Sequence, residues 1–516
     1  MQRFVKILKA LGCSSFFLVL LSTSLACFKQ TGVPEASNSR LVVALGSEPT
    51  TLDPRFATDT NGMRIVSLMF HSLVRIGPEL KVEGDAAKTW TFDAATKTFV
   101  FSLYPRLRFS NGRELEKEDL IFSFEQYRSE RSPFRSSLES IKNFQVEGSN
   151  EEGFKVNIVL AHYSSKFLIS DLPMLRLLPK TEIETAPESF SLHPIGTGPF
   201  GFEKKDSNQI ILKAQKAHAI VSPKVSYLVF QIIRDDFTRF QKTLKGSVDI
   251  AQVEIAPSKV AEFEKQPESF QVYKYPGLSM SYILINLKDP DLAKYKLRRA
   301  IAEALNRPEI VKYKLEGLGL PATSLLTPKN PYFHPKLKDV DYDLDSAKAA
   351  IEALGLKGKS FSLKTSNAQS AVDNGRVLTY QISKAGLNIQ LQSFEWGTFY
   401  SDIRSGNFQL ATLRWTGTLD PDIYRLAFHS KETPPGRNRG AYSNPLLDRL
   451  TEEGLKISDD KKRIEHYFKV QEIIQEDLAI IPLWYDEQVS IVHRRVEGYK
   501  PWQTSDFYPF IYVSKK

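Results

Sequence analysis

Cysteine is almost absent from this 516-residue chain: there are two, Cys13 and Cys27, and both lie near the amino terminus. Because no thiol follows residue 27, the body of the protein cannot hold a disulfide framework, a thiolate nucleophile or a cysteine-ligated metal. An excess of one charge is also missing, since 69 Lys and Arg face 60 Asp and Glu, a formal net charge of +9. The basic residues are scattered among acidic ones, which indicates a solvated surface and no nucleic-acid partner.

Long hydrophobic runs are missing as well. The most apolar stretch, 16–21 (FFLVLL), follows a basic segment and precedes the small residues of 24–26. This order is typical of a secretory signal peptide, and the run is much shorter than the roughly 20 residues that span a bilayer. No later stretch comes near that length, so we expect the mature chain to be soluble and to lie outside the cytoplasm.

Cleavage after residue 26 would make Cys27 both the new amino terminus and the last thiol. This arrangement resembles the lipobox of bacterial lipoproteins, although Leu25 stands one place later than the usual leucine. The alternative is ordinary cleavage after Ala26. We favour lipidation, because an unmodified reactive cysteine at a mature terminus would be a liability. Residues 1–26 are then the signal peptide, and the polar segment 27–38 is a flexible tether.

The rest of the chain alternates between strand-like and helix-like periodicity. Residues 40–45 and 479–485 are predicted strands, and 145–160 is a predicted hairpin. Apolar spacing predicts helices near 63–73 and over 460–477. The pattern has no internal repeat and indicates a mixed α+β protein of more than one domain.

The segment Gly196–Gly201 satisfies the glycine spacing of a dinucleotide-binding loop. That function requires a strand before the glycines and a helix after them. Here Pro199 lies inside the motif and a strand-like segment follows, which favours a turn that enters a strand. The histidines have no metal-binding spacing, and no nucleophile motif occurs. We therefore expect no metal, no cofactor and no enzymatic activity, and a secreted hydrolase is a disfavoured alternative.

A series of short strings recurs in a fixed order from about residue 40 to the carboxyl terminus. They are GSEPTTLDP (46–54), AAKTW (86–90), F-x-F-x-L (99–103), FSNGR (109–113), GTGPF (196–200), GSVDI (246–250), LRRAI-x-x-ALNR (297–307), YD (342–343), YSNP (442–445) and IPL (481–483). Together they resemble the oligopeptide/dipeptide/nickel class, family 5, of the solute-binding proteins of ABC transporters.

The resemblance implies a two-lobed periplasmic-binding-protein fold of type II. In such proteins two α/β lobes, joined by two crossover strands, close on a ligand, and an additional domain enlarges one lobe. By position of the strings, the first lobe takes 39–74, 195–282 and 484–516. The additional domain takes 75–194, and the second lobe takes 283–483.

The stretch 413–421 (LRWTGTLDP) resembles the segment of the family that pairs with the ligand backbone like an added strand. This assigns Trp415, Thr416 and Gly417 to the binding site. In peptide binders an acidic residue three places after the tryptophan holds the ligand's α-ammonium, but here that position is Thr418. Either Asp420 has taken over this role, or the ligand has no free amino terminus. A third alternative is that Asp420 only forms the turn before Pro421.

Further binding residues are implied by the same resemblance. Trp396, in a string that precedes the tryptophan strand, would form an aromatic wall with Trp415, unless both are core residues. Tyr282 and Asn286 at a crossover strand, together with the backbone around Glu48 and Thr50, would face the cleft. Arg404 and Arg414 are candidates for a ligand carboxylate, with solvated surface as the alternative for each.

The function implied is that of an extracytoplasmic receptor. A monomer, periplasmic or on the cell surface and held to the membrane by lipidated Cys27, would bind a short peptide and deliver it to the transmembrane subunits of an ABC permease. A second hypothesis keeps the fold but replaces the peptide by a glycan, a metal chelate or another metabolite. Thr418 favours this alternative because it removes the usual charge partner of an ammonium.

Overall fold

The computed structural model describes residues 39–434 and 436–516, which belong to one compact unit. The predicted signal peptide, the tether and Cys27 lie outside the described residues. Among the described residues no helix is long and apolar enough to cross a membrane.

The strands supply two main sheets. They are, in chain order, β1 (Arg40–Leu45), β2 (Val74–Ile76), β3 (Val82–Gly84), β4 (Ala87–Asp93), β5 (Thr98–Leu103), β6 (Ile141–Glu147), β7 (Lys155–Leu160), β8 (Phe200–Lys205), β9 (Gln209–Ala214), β10 (Tyr227–Ile232), β11 (Ile250–Gln252), β12 (Phe270–Ile285), β13 (Gly319–Pro321), β14 (Ser360–Ser366), β15 (Asn388–Phe394), β16 (Leu410–Trp415), β17 (Ile480–His493), β18 (Val496–Glu497) and β19 (Ser514–Lys515). The larger sheet has 11 strands in the order β15-β14-β16-β12-β17-β11-β1-β10-β9-β8, with β13 paired to β17. The smaller antiparallel sheet is β4-β5-β7-β6.

The helices pack mainly against the larger sheet. They are α1 (Thr60–Met69), α2 (Lys117–Arg128), α3 (Lys180–Thr185), α4 (Pro187–Leu192), α5 (Asp236–Leu244), α6 (Pro257–Glu264), α7 (Tyr295–Glu303), α8 (Arg307–Tyr313), α9 (Leu344–Ala353), α10 (Gln369–Lys384), α11 (Trp396–Ser405), α12 (Ile423–Phe428), α13 (Pro445–Gly454) and α14 (Asp460–Asp477).

Two long strands, β12 and β17, connect the halves of the larger sheet. They pair antiparallel from Phe270↔His493 to Leu284↔Ile480, with a shift of register between Pro276 and Met280. Beyond the shift β12 also pairs with β16, whereas β17 pairs with β11 at its other end. Both parts of the sheet are therefore built on the same two chain crossings.

Alternation along β12 divides the apolar residues near its end between two cores. Ile283 and Ile285 enter a core with α7, α9 and α10, whereas Met280, Tyr282 and Leu284 enter a core with α11 to α14. Successive strand residues point to opposite faces, so one strand supplies both cores. A larger core joins β1 and α1 to the smaller sheet and to the carboxyl-terminal segment.

Several predicted elements are confirmed. The strand 40–45 is β1, the hairpin at 145–160 is formed by β6 and β7, and the helix 460–477 is α14. The strand predicted at 479–485 is the first half of β17. The helix predicted near 63–73 begins earlier, at Thr60, because the side chain of Asp59 caps it by accepting a hydrogen bond from the Gly62 amide.

The Gly196–Gly201 segment is a turn that enters β8, as predicted, and its glycines have a packing role. The Gly198 amide donates a 2.7 Å hydrogen bond to the Met69 carbonyl. A Cβ at Gly198 would lie 2.5 Å from the Leu68 carbonyl oxygen, and one at Gly196 would lie 2.1 Å from that of Met69. Glycine is needed here because two backbones approach each other closely.

Candidate functional site

The pairing of β12 with β16 brings together two aromatic residues of the predicted site. Met280 stands opposite Trp415 and Tyr282 opposite Leu413, so Tyr282 and Trp415 are diagonal neighbours on one face. Their rings are stacked, with 6.3 Å between centroids and 10° between planes. Burial raises the pKa of the Tyr282 hydroxyl far above its ordinary value, so this phenol is neutral.

A second aromatic pair begins α11. Glu395 caps this helix by accepting hydrogen bonds from the Gly397 and Thr398 amides. Trp396 occupies the first helical position and Tyr400 follows one turn later, so their rings can stack, 5.5 Å apart at 18°. The Trp396 side chain is 55% exposed, which disfavours the alternative that it is a core residue.

An arginine that sequence reasoning missed lies beside this pair. The guanidinium of Arg439 lies over the Tyr400 ring, 4.9 Å from its centroid, and Nη2 donates a 2.9 Å hydrogen bond to the Tyr400 hydroxyl. The loop that carries Arg439 is held by Asn438, whose side chain bonds the Tyr442 carbonyl and amide at 2.7 and 3.1 Å. Tyr442 begins the YSNP string, so that string was the available signal.

A small cavity, with room for about one water molecule behind an open mouth, lies between these features. It is lined by apolar side chains and by Tyr282, Trp415, Arg437 and Arg439. Tyr282 and Trp415 are therefore predicted residues that the structure places together, and Trp396 lies near them through Tyr400. The enclosed space is too small for a ligand side chain, so a ligand group can contact these residues only at the open mouth.

The loop that follows β16 is held by backbone contacts. Gly417 has a φ of +66°, and its amide donates a 3.1 Å hydrogen bond to the Leu278 carbonyl at the β12 register shift. The Asn330 side chain donates to the carbonyls of Leu419 and Thr418, at 2.8 and 3.3 Å. Thr416 is exposed. The loop thus has a defined position beside the cavity.

Asp420 is buried in this loop and bound internally. Arg463 of α14 donates two hydrogen bonds to its carboxylate, at 2.9 and 3.0 Å. The Asp422 amide donates a third, at 2.8 Å, as expected of an Asx turn. Because both carboxylate oxygens are engaged, the structure favours the turn alternative over a role in binding a ligand ammonium.

A lysine from the segment after the smaller sheet meets the same loop. Lys166 Nζ lies 3.6 Å from the Asp422 carboxylate and 3.5 Å from that of Asp171. Burial raises the pKa of Asp171 to about 7, and the nearby carboxylates of Asp420 and Asp422 act in the same direction while Lys166 opposes them. The contact therefore contains a carboxyl group that titrates near neutral pH.

The other predicted residues do not line this cavity. Their positions are as follows: Glu48 pairs with Arg234 and Lys205 at 2.8 and 3.0 Å, Thr50 donates to the helix cap Asp59, Asn286 donates to the Gly406 and Phe408 carbonyls, Arg414 pairs with Asp486 at 3.0 Å, and Arg404 is exposed on α11. Asn286 thus holds the end of α11 in place, which favours a structural role for it.

A buried histidine–carboxylate pair bears on the hydrolase alternative. His71 Nδ1 lies 2.5 Å from Asp85, but its Nε2 lies 3.0 Å from Nε2 of His218 and not next to a hydroxyl nucleophile. Both members of the pair are inaccessible to solvent, so the pair offers no site for a substrate. Over the described residues no group of three or more His, Cys, Asp and Glu is placed to hold a metal ion.

Known proteins match the chain over nearly its whole length. The model for "Bacterial extracellular solute-binding proteins, family 5 Middle" matches residues 81–434. The dipeptide-binding protein of Escherichia coli (strain K12) is 26% identical over 515 residues, which cover 93% of this chain and 95% of that protein.

Two solved structures share the fold. AppA of Bacillus subtilis, in complex with a nonapeptide, has a TM-score of 0.82 at 23% identity and covers 92% of this chain and 99% of that one. NikZ of Campylobacter jejuni, in complex with Ni(L-His), has a TM-score of 0.81 at 21% identity, and the match covers 94% of this chain and 100% of that one. These similarities confirm the predicted mixed α/β, two-lobed fold class.

Proposed function

The chain belongs to family 5 of the bacterial extracellular solute-binding proteins, and we propose that it captures short peptides outside the cytoplasm and delivers them to the transmembrane subunits of an ABC permease. The observation that carries this proposal is the cavity in which Tyr282 and Trp415 stack beside the loop 416–422. Tyr282 is buried and Trp415 is partly exposed, so the tryptophan ring offers a peptide group apolar contact while the tyrosine supports it from the core. The dipeptide-binding relative and the nonapeptide complex of AppA support the same ligand class.

Binding drives the two lobes together, because a ligand that contacts both lobes only when they are closed shifts the population toward the closed state. The lobes and the additional domain take the boundaries predicted from the sequence strings. No chemical step is involved, so the ligand leaves unchanged when the permease accepts it. The protein acts as a monomer and is anchored at the membrane by lipidated Cys27, which keeps it near the permease.

A second candidate is a non-peptide ligand in the same site. It is favoured by Thr418, which replaces the acidic anchor of peptide binders, and by the engagement of Asp420 with Arg463. The Ni(L-His) complex of NikZ is a non-peptide precedent within this fold. A buried ligand ammonium without a counter-charge would cost several kcal/mol.

Native mass spectrometry of the protein purified from its own host tests the proposal. We expect a series of added masses that correspond to short peptides. A sample that has been unfolded, dialysed and refolded serves as the control and should carry no added mass. A single non-peptide mass would contradict the peptide proposal and support the second candidate.

A further inference from the structure

The cavity beside Tyr282 and Trp415 carries positive charge without a matching negative charge. Arg437 and Arg439 both line it, and no carboxylate does. Within the described part of the chain, neither arginine has a carboxylate oxygen within 4.0 Å of its guanidinium nitrogens. Arg437 is exposed and stays in contact with water, whereas Arg439 is half-buried. A guanidinium that is partly removed from water usually has such a partner, because removing charge from water is costly.

Arg439 is the arginine of this cavity whose position is fixed by its neighbours. Its guanidinium is fixed over the Tyr400 ring, and one of its five N–H donors is used by the Tyr400 hydroxyl. Its Nε is buried and has no hydrogen-bond partner among the residues described. The side chain is therefore held in place by an aromatic ring and a phenol, while its Nε donor is left unpaired.

The carboxylates of the neighbouring loop are committed elsewhere. Asp420 is held by Arg463, and Asp422 accepts hydrogen bonds from Arg425 at 2.8 and 3.2 Å. Asp477 lies at the far end of Tyr442 and accepts hydrogen bonds from the Tyr442 hydroxyl and from Asn444. None of these acids lines the cavity, so Arg439 is available to a negative group of a ligand.

We propose that Arg439, with Arg437 at the more exposed side of the cavity, binds a carboxylate of the ligand and thereby determines specificity. The proposal rests on the proposed function and adds a requirement on the charge of the ligand. The ligand presents a carboxylate to Arg439, whereas peptide binders of the family hold a ligand ammonium with an acidic residue. Arginine suits this task because its planar fork binds a carboxylate with two parallel hydrogen bonds.

The carboxylate can belong to an acidic side chain or to the carboxyl terminus of a peptide. Titration calorimetry with ligand-free mature protein separates these sources. The probes are the tripeptides Ala-Glu-Ala and Ala-Gln-Ala, each with a free and an amidated carboxyl terminus. We expect removal of one of the two carboxylates to weaken binding to the wild type at least tenfold, and the peptide that responds identifies the source.

The variant Arg439→Gln should bind all four probes with nearly equal affinity, and Arg439→Lys should retain part of the discrimination because it keeps the charge. The control Arg449→Gln removes the same charge at an exposed position of α13 and should discriminate as the wild type does. Thermal melting of each variant checks that it folds. Equal affinity of the wild type for all four probes would overturn the proposal, as would unchanged discrimination in Arg439→Gln.

Failure of the proposed function can be told apart from failure of this inference. If no tripeptide binds, the peptide proposal fails, and the carboxylate site is tested by thermal shift with N-acetylglutamate against N-acetylglutamine amide. A rise in Tm with the carboxylate alone, lost in Arg439→Gln, supports the site independently of peptides. Equal shifts, or no shift with either compound, overturn it.

Discussion

The carboxylate of Asp420 and the guanidinium of Arg463 form a buried ion pair with two hydrogen bonds of 2.9 and 3.0 Å. Arg463 also donates a 2.7 Å hydrogen bond to the Tyr332 hydroxyl and lies over the rings of Tyr332 and Tyr467. The pair therefore joins the loop that follows β16 to α14, and it fixes the position of the loop beside the cavity.

Breaking this pair should destabilise the protein. Asp420→Ala leaves Arg463 buried without a counter-charge, so we expect a loss of roughly 3–5 kcal/mol in the free energy of unfolding, measured by urea denaturation. The exposed Asp345→Ala should change it by less than about 0.5 kcal/mol. If Asp420→Ala were as stable as the wild type and bound peptide weakly, the internal role would be wrong and the anchor role would stand.

The glycine turn before β8 should not tolerate a side chain. In Gly198→Ala the new Cβ would lie 2.5 Å from a backbone oxygen of α1, so either the turn or the helix must move. We expect the free energy of unfolding, measured by urea denaturation, to fall by about 1–3 kcal/mol. Gly375→Ala, within α10, is the control, because there the near atoms are the terminal methyl carbons of Leu391, which can rotate away. Equal stability of the two variants would contradict the packing role.

The contact between Lys166, Asp171 and Asp422 should make stability depend on pH. The folded pKa of Asp171 is about 7 and its ordinary value is 3.8, so the folded state holds a proton that the unfolded state releases. The contribution of this proton to the free energy of unfolding is complete below about pH 4 and is lost as the pH rises through 7.

The variant Asp171→Asn should therefore lose less stability between pH 5 and pH 8 than the wild type, as measured by thermal melting across that range. Asp345→Asn, at an exposed position, should follow the wild-type curve. A curve for Asp171→Asn that coincides with the wild type would show that Asp171 does not titrate in this interval.

The stacked tryptophan should contribute to ligand affinity. In Trp415→Ala the aromatic wall next to Tyr282 is lost, and we expect peptide affinity to fall about tenfold or more. Stacking contributes about 0.5–1.5 kcal/mol beyond the free energy gained from burying apolar area. The peptide affinity of Trp415→Phe should fall less, because the variant keeps an aromatic ring. Tyr313→Ala removes an aromatic ring that is 67% exposed on α8 and should bind as the wild type does in calorimetry. Wild-type affinity in Trp415→Ala would remove this residue from the site.

The predicted anchor depends on Cys27. In a bacterial host, globomycin should block processing of the precursor, and the mature protein should fractionate with membranes. Cys27→Ser should prevent lipidation and processing by the lipoprotein signal peptidase. Processing that is insensitive to globomycin, with a mature protein that begins at an unmodified Cys27, would support ordinary cleavage after Ala26.

Much of the fold could be predicted because the signals are local. Strand β1 shows period-two alternation, and α14 shows helical spacing over 18 residues. The aromatic candidates Trp396 and Trp415 were found because they lie in strings that resemble those of a family. Arg439 was missed because a lone arginine in a polar loop carries no periodicity, and its one signal was the YSNP string that begins three residues later.

The sequence by itself determined the family and the mixed α/β class, and it predicts an export signal and Thr418 at the ammonium position. Only the tertiary structure decided that Asp420 pairs with Arg463, 43 residues away, and that Arg439 lies over Tyr400, 39 residues away. The physical reason is that charge partners are chosen by distance and burial. Both depend on how β16, α11, α14 and the loop before α13 pack together, and no local pattern in the chain encodes that packing.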